Sequence, residues 1–477
     1  MPLALILVPL LAAAIAWVIP SDRHRPLLLP VVAMVHLALT LLALAGMEKV
    51  AYGVWLQLDP LGGVTLGIVS TLFLICALYA PGYLEVRIDR PNRIVCVGML
   101  VFLAMTSVLI LSQHLGLMWV AMEATTLATA PLIYFNRTAH SLEATWKYLM
   151  IGSVGIAVAL LGSLFLAYSA YLSVGESSLL FPTLLEHAAS FSRPWLRAGF
   201  VLLLVGYGTK MGLAPMHTWK PDAYGEAPGM VGALLAGGLT NCAFLALLRV
   251  YRIVDAGGEG VFARELLILF GLTSMAVAAV FVVRQRDLKR MLAYSSVEHM
   301  GILVIGVGIG GAGLYGAILH SVNNGLTKGV LFLAAANIHR AYKSKHLDEV
   351  SGAIARLPVS GSLFLAGFFA ITGSPPFAPF VSEFTILNAA FSLGHWKVAT
   401  AFLVLLGIIF IGMGGTVLSA VQGEPSDEAK STPFRDTLRT TGPIVLAMAL
   451  VLLLGLWIPA PLRSLLERAA ASFGGHS

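Results

Sequence analysis

Apolar runs of about twenty residues recur almost without pause along this chain, and each is long enough to carry an α-helix through the hydrocarbon of a bilayer. In lipid only helices and closed barrels satisfy their own backbone hydrogen bonds. These runs are continuous rather than alternating, so they select helices. Of 477 residues, 58% are hydrophobic and 11% are charged, against about 25% charged in soluble domains. So little charge cannot cover a water-facing surface, which excludes a soluble enzyme, a disordered chain and a nucleic-acid binder. The net charge of +6 then reads as a topology signal, because Lys and Arg collect in cytoplasmic loops. Cys76, Cys96 and Cys242 lie singly inside apolar runs. They support neither a disulfide framework nor an iron–sulfur or cysteine zinc site.

The expected fold is an all-α polytopic membrane protein of about 14 transmembrane helices. The first eight spans are read at 2–20, 26–47, 59–81, 94–111, 114–135, 146–171, 195–219 and 227–250. The other six are read at 266–283, 291–309, 311–337, 358–390, 396–420 and 441–458. The first run has no Lys or Arg ahead of it and no cleavage pattern after it, so a retained helix is expected rather than a signal peptide. The tail from Pro461 to Phe473 reads as a short amphipathic surface segment. With the N-terminus outside, the inner loops gather about twice as many basic residues as the outer ones. Lys220, Lys289 and Arg290 count with the inner set, and Arg197, Arg249 and Arg252 with the outer. An even number of spans places the C-terminus outside as well. The longest loops, 172–194 and 421–440, leave no room for a soluble domain. Any redox centre or soluble substrate is therefore expected to belong to a partner.

Four formally charged residues within the spans stand out as path candidates: Glu123, Lys210, Lys328 and Glu383. Each costs roughly 2.5–3.5 kcal/mol at mid-bilayer on insertion scales, and such residues mark ion or proton pathways. A structural ion pair is the plainer reading of any one of them; a set with balanced signs, one per helix, favours a path. Thr125, Thr126 and Thr129 follow Glu123 and offer hydroxyls. Burial disfavours the charged form of both lysine and glutamate. A buried Glu and Lys near one another therefore exchange a proton at modest cost. His320, Asn324 and Lys328 stand at i, i+4 and i+8, on one helix face over roughly 12 Å. A polar stripe of that length implies a wet interior. Pro215 interrupts the seventh span, and Gly373, Pro375, Pro376 and Pro379 interrupt the twelfth. Prolines remove backbone donors and clash with the preceding turn, so both spans are expected to be broken helices of the kind that line ion sites in transporters.

Spans four to eight and nine to thirteen each hold five helices that enter the membrane from opposite sides, which predicts inverted repeats. The fourth helix of each set is broken and charged, by Lys210 in one and Glu383 in the other. The resulting division is residues 1–93, 94–250, 266–420 and 441–477.

The stretches TKMGLAPMHTWKPDAYGEAP (209–228) and GSPPFAPFVSEF (373–384), with Glu123 in the fifth span, resemble the antiporter-like membrane subunits shared by respiratory complex I, multisubunit Na⁺/H⁺ antiporters and group 4 membrane-bound hydrogenases. The resemblance covers nearly the whole chain. RDLKRMLAYSSVEHMG (286–301) is most similar to the F-type subunits of the hydrogenase-4 and formate hydrogenlyase branch. The resemblance implies that Glu123 and Lys210 form the ion pair of a first half-channel. It makes Lys328 the central lysine of a second, Glu383 its terminal group and His320 a connecting proton carrier. Asn241, His217, Asn324, Glu298 and His299 are further relay or gating candidates, with Glu298 and His299 near a helix start and an equally good surface role. Complex I-type subunits often carry a lysine in the eighth span; eight residues before Arg249 this chain has Asn241. Asparagine does not exchange protons near neutral pH, so the connection between the halves is expected to differ.

The leading expectation is a proton-translocating subunit of a redox-driven complex in the cytoplasmic membrane of a prokaryote. It would work with other membrane subunits and a hydrogenase-like peripheral arm. The iron–sulfur and nickel–iron centres would sit in those partners, and no cofactor or metal in this chain. The alternative is a subunit of a cation/proton antiporter driven by the ion gradient. A haem site would need facing histidines, and His36, His114, His299 and His320 show no paired spacing.

Overall fold

The computed structural model describes residues 1–87, 89–175 and 178–473. Over those residues the chain is almost wholly helical, with one two-residue hairpin pairing Ala51–Tyr52 with Leu56–Gln57. Among the described residues, nine helical stretches are long and apolar enough to cross a membrane by length and composition, and Pro2–Val18 and Pro358–Ile371 are shorter apolar helices. Several large apolar side chains on the outer helices, among them Leu11, Leu42, Met150, Val280 and Ile411, are exposed. On a membrane protein such a surface faces lipid.

In chain order the first helices are α1 (Pro2–Val18), α2 (Leu28–Ala45), α3 (Pro60–Glu85), α4 (Arg93–Leu111), α5 (Leu115–Ile133) and α6 (Ala139–Val174). Their starts follow from local sequence. The Asp59 carboxylate accepts from the Gly62 amide ahead of Pro60, and Thr138 and Ser141 cap one another's backbone amides at α6. Both devices satisfy donors that a helix start leaves free. The His114 ring caps α5 through the Gly116 and Leu117 amides. His36 bonds Ser70 and Ser107. Both histidines thus have packing roles.

After the short α7 (Phe181–His187), the seventh span divides into α8 (Arg193–Met211) and α9 (Trp219–Glu226). Pro215 lies in the link. Gly212 ends α8 in the left-handed region, φ +76°, where glycine alone is unstrained. The Trp219 indole donates to the Thr209 carbonyl across the break at 2.8 Å, and Ser274 accepts from the Ala214 amide at 2.9 Å. The break is therefore satisfied within protein, as a membrane interior requires. The eighth span is α10 (Gly229–Leu234), a π-helical turn over Leu235–Leu239 and α11 (Thr240–Val254).

Next come α12 (Gly260–Val282), α13 (Leu288–Ile309) and α14 (Ala312–Tyr342). Every residue of α13 but Arg290 is buried, and nearly all of α14. They form the centre of the bundle. After α15 (Ala353–Arg356), the twelfth span divides into α16 (Pro358–Ile371) and α17 (Ala378–Ser392), as expected. Pro375 and Pro376 lie in the link. Pro379 does not break a helix: it occupies the first turn of α17, where no backbone donor is needed. The chain closes with α18 (Trp396–Val421), α19 (Asp427–Ser431), α20 (Leu438–Leu456) and the amphipathic α21 (Ala460–Ala471). That last helix buries Leu465, Leu466 and Ala469 on its packed side.

Arg249 corrects the charge reading. It is buried rather than in an outer loop, because its guanidinium closes the end of α4. Its nitrogens reach the Ser112 carbonyl at 2.9 Å, the Ile110 carbonyl at 2.7 Å and the Asp59 carboxylate at 2.7 Å.

Candidate functional site

The first cluster lies between α5, α6 and α8. Glu123 accepts from the Ser153 hydroxyl at 2.5 Å and lies 3.4 Å from the Thr126 hydroxyl. Lys210 is fully buried at the end of α8 and donates to that same Thr126 hydroxyl. Thr126 thus stands between carboxylate and ammonium, which share it in place of a direct salt bridge. The Lys210 ammonium also lies 5.2 Å from the centre of the Tyr148 ring, a contact worth about 2 kcal/mol when desolvated. Tyr148 in turn meets Thr129 at 2.7 Å. Gly152 makes room for the lysine: a β-carbon there would lie 3.2 Å from its nitrogen.

The second cluster lies between α13, α14 and α17. Lys328, buried on α14, donates to Ser295 at 2.8 Å and to the Leu292 carbonyl at 3.3 Å. Glu298 follows one turn after Ser295 on α13. Two turns before Lys328, His320 meets His299 of α13 at 2.9 Å, with the rings stacked, and meets Ser382 of α17 at 2.9 Å. The Glu383 carboxylate lies 3.9 Å from the His299 Nδ1, and the Glu298 carboxylate 3.9 Å from the His299 Nε2. The sequence reading of Glu298 and His299 as helix-start or surface residues is therefore corrected. Both are buried at mid-helix, and the pairing of His299 with His320 comes from packing of α13 on α14, which no sequence spacing reports.

A hydrogen bond between two imidazoles needs one protonated and one bare nitrogen. In one orientation His299 donates to His320, and His320 donates to Ser382, which donates to the Pro379 carbonyl at 3.0 Å. The reverse orientation carries the proton the other way. The nitrogen and carboxylate donors of His299, His320 and Glu383 fall within 4.8 Å of one another, a set able to hold a metal. Two nitrogens on one zinc at about 2.0–2.1 Å from it stand about 3.3 Å apart. The 2.9 Å separation here is that of a shared proton.

The remaining candidates divide. Asn241 donates to the Gly237 carbonyl at 2.8 Å and the Ser321 carbonyl at 3.0 Å. It ties α11 to α14 and has both amide hydrogens occupied. Asn324 is buried one turn from Lys328 with neither amide atom bonded to protein. His217 lies in the link after α8, 6.4 Å between ring centres from Tyr294. Gly373, at φ +67°, lets the Glu383 carboxylate lie against the link of the twelfth span, where a β-carbon would fall 2.1 Å from its oxygen.

The sequence reading missed Lys220, which it counted with the inner loops. On α9 the residue is fully buried and donates to Ser296 at 3.1 Å. No helical pattern marked it in the sequence, because Met216, four residues earlier, lies in the link before α9, while Asp222 and Glu226 mark a polar edge of that helix. That polar edge lines a cleft of about 310 Å³ with Glu143, Lys147, Arg290 and Lys345. Asp222 pairs there with Lys147 at 2.8 Å and Arg290 at 3.0 Å.

Residues 112–409, which hold both clusters, match the family described as "NADH:quinone oxidoreductase/Mrp antiporter, TM". The "Hydrogenase-4 component F homolog" of Methylacidiphilum infernorum is 38% identical over 354 residues, 73% of this chain and 72% of that protein. A chain of respiratory complex I from Thermus thermophilus superposes with a TM-score of 0.77 at 27% identity, covering 96% of this chain and 97% of its own. A chain of the membrane-bound sulfane sulfur reductase, an archaeal respiratory membrane complex, shares the fold, with a TM-score of 0.88 at 20% identity over 99% and 97%. By these matches the chain belongs to the NADH:quinone oxidoreductase/Mrp antiporter transmembrane family.

Proposed function

We propose that this chain is the proton-translocating membrane subunit of a redox-driven complex of the hydrogenase-4 or complex I kind. The observation that carries the reading is the pair of buried polar clusters, Glu123–Thr126–Lys210 and Lys328–Ser295 with His299–His320–Glu383. In each, a lysine or histidine shares hydrogen bonds with hydroxyls that relay protons, and a carboxylate stands beside it. Movement of charge in a partner weakens the hold of Glu123 on Lys210, and the proton released by Lys210 passes toward Lys328, His320 and Glu383. Electron carriers, iron–sulfur and nickel–iron centres among them, reside in partner subunits.

The same reading holds 14 crossings with both termini outside, in the cytoplasmic membrane of a prokaryote, with residues 94–250 and 266–420 as inverted repeats. Matching contacts support the repeats. α4 packs on α5 as α12 packs on α13, α5 on α6 as α13 on α14, and α6 touches both halves of its broken helix, α8 and α9, as α14 touches α16 and α17. Glu123 and Glu298 fall on the second helix of each set.

A gradient-driven cation/proton antiporter is the second reading, favoured by the Mrp members of the family. Purification of the tagged chain in mild detergent, with partners identified by mass spectrometry, separates the two. Hydrogenase-like or iron–sulfur subunits are expected. Recovery of small membrane subunits alone would overturn the redox-driven reading.

A further inference from the structure

The two clusters need a connection, and Asn241 does not supply one, because both its amide hydrogens are committed to carbonyls and it has no proton to exchange. Lys220 lies where a connection is needed. Its stem crosses Gly212, two residues beyond Lys210: a β-carbon on Gly212 would fall 2.2 Å from the Lys220 Cε and 2.9 Å from its nitrogen. Glycine at that point is thus required twice, by φ +76° and by the lysine itself. The Lys220 ammonium reaches across to α13 and donates to Ser296, the neighbour of the Ser295 that holds Lys328. α13 is packed between α9 and α14, so its two serines receive one lysine from each side.

The surroundings are polar where the lysine ends and apolar along its stem. The Asn324 amide, beside Lys328, is buried with neither amide atom bonded to protein. Groups of that kind are commonly served by internal water. Among the described ion pairs, Lys220 has no carboxylate within 4.0 Å. Its described partners are the Ser296 hydroxyl at 3.1 Å and the Tyr224 ring at 5.8 Å, neither of them a counter-charge.

We propose that Lys220 is the proton carrier that joins the two halves, in the role that Asn241 leaves without an ionisable group; the proposal rests on the proton-transport reading above. The Lys210 ammonium gives one proton to the neutral Lys220 amine. The Lys220 ammonium then gives one to the neutral Lys328 amine through hydroxyls and water at α13. Each hop neutralises the donor and charges the acceptor, so net charge is unchanged.

The test uses the whole complex, purified through a tag on this chain and reconstituted in vesicles, with proton uptake and electron transfer measured together. Lys220→Met, and Lys220→Arg, which keeps the charge but holds its proton, are expected to lower translocation at least tenfold while partner subunits still co-purify. Lys220→Met/Asn241→Lys is expected to recover several-fold over Lys220→Met, because it returns an ionisable group to the centre. Wild-type translocation in either single variant overturns the proposal, as does failure of the double variant to exceed Lys220→Met. Lys210→Met is the control. If it too translocates normally, the transport reading itself fails; if it is inactive while Lys220→Met works, only the role of Lys220 falls.

Discussion

At the scale of single residues, the site depends on glycines that admit charged side chains. Gly373 combines φ +67° with direct contact against Glu383, so Gly373→Ala is both strained and crowded. We expect a loss of more than about 1 kcal/mol of stability from the backbone conformation, read as a lower unfolding temperature in detergent, together with impaired translocation from a displaced carboxylate. An unchanged melting temperature would contradict the placement. The charged residues inside apolar runs were legible in the sequence, because lipid makes each of them costly and therefore conspicuous. Lys220 was not, since it follows Pro215 and precedes Pro221 and Asp222 in a stretch that reads as a polar loop. Only the fold reveals that α9 turns back into the bundle. The Glu123–Lys210 relation was legible in its partners and not in its geometry: a hydroxyl three residues along α5 separates the two groups.

Elements hold these residues in place, and the two broken helices were readable from Pro215, Gly373, Pro375 and Pro376 because proline leaves backbone groups that must find other partners. Charge counting was less informative for Arg249, whose role depends on α4 ending beside α11. Removing Arg249 leaves the buried Ile110 and Ser112 carbonyls without their donor and takes one partner from the Asp59 carboxylate, and a buried polar group left unsatisfied costs about 1–3 kcal/mol. Arg249→Leu is therefore expected to reduce the amount of folded subunit in the membrane. The fraction that does assemble should translocate protons at the wild-type rate per complex. A variant that accumulates normally but pumps poorly would move Arg249 from scaffold to path.

For the whole molecule, the composition alone set the environment and the helical class, because 11% charge allows no other. The pairing of His299 with His320, and the packing of α13 and α14 at the centre, arise from contacts between distant segments that no local pattern encodes. Topology is testable directly, since Cys76, Cys96 and Cys242 are all buried. Single cysteines at Ser190 and at Ser431, both exposed, should react with an impermeant thiol reagent from the outer and the cytoplasmic side respectively. Labelling of both from one side would remove the proposed orientation. The central claim, that protons move through buried side chains of this chain, is tested most directly by Glu123→Gln in the assembled complex, with redox-driven proton translocation measured in sealed vesicles. The account predicts that translocation falls at least tenfold while the complex remains assembled. Translocation at the wild-type rate would contradict it.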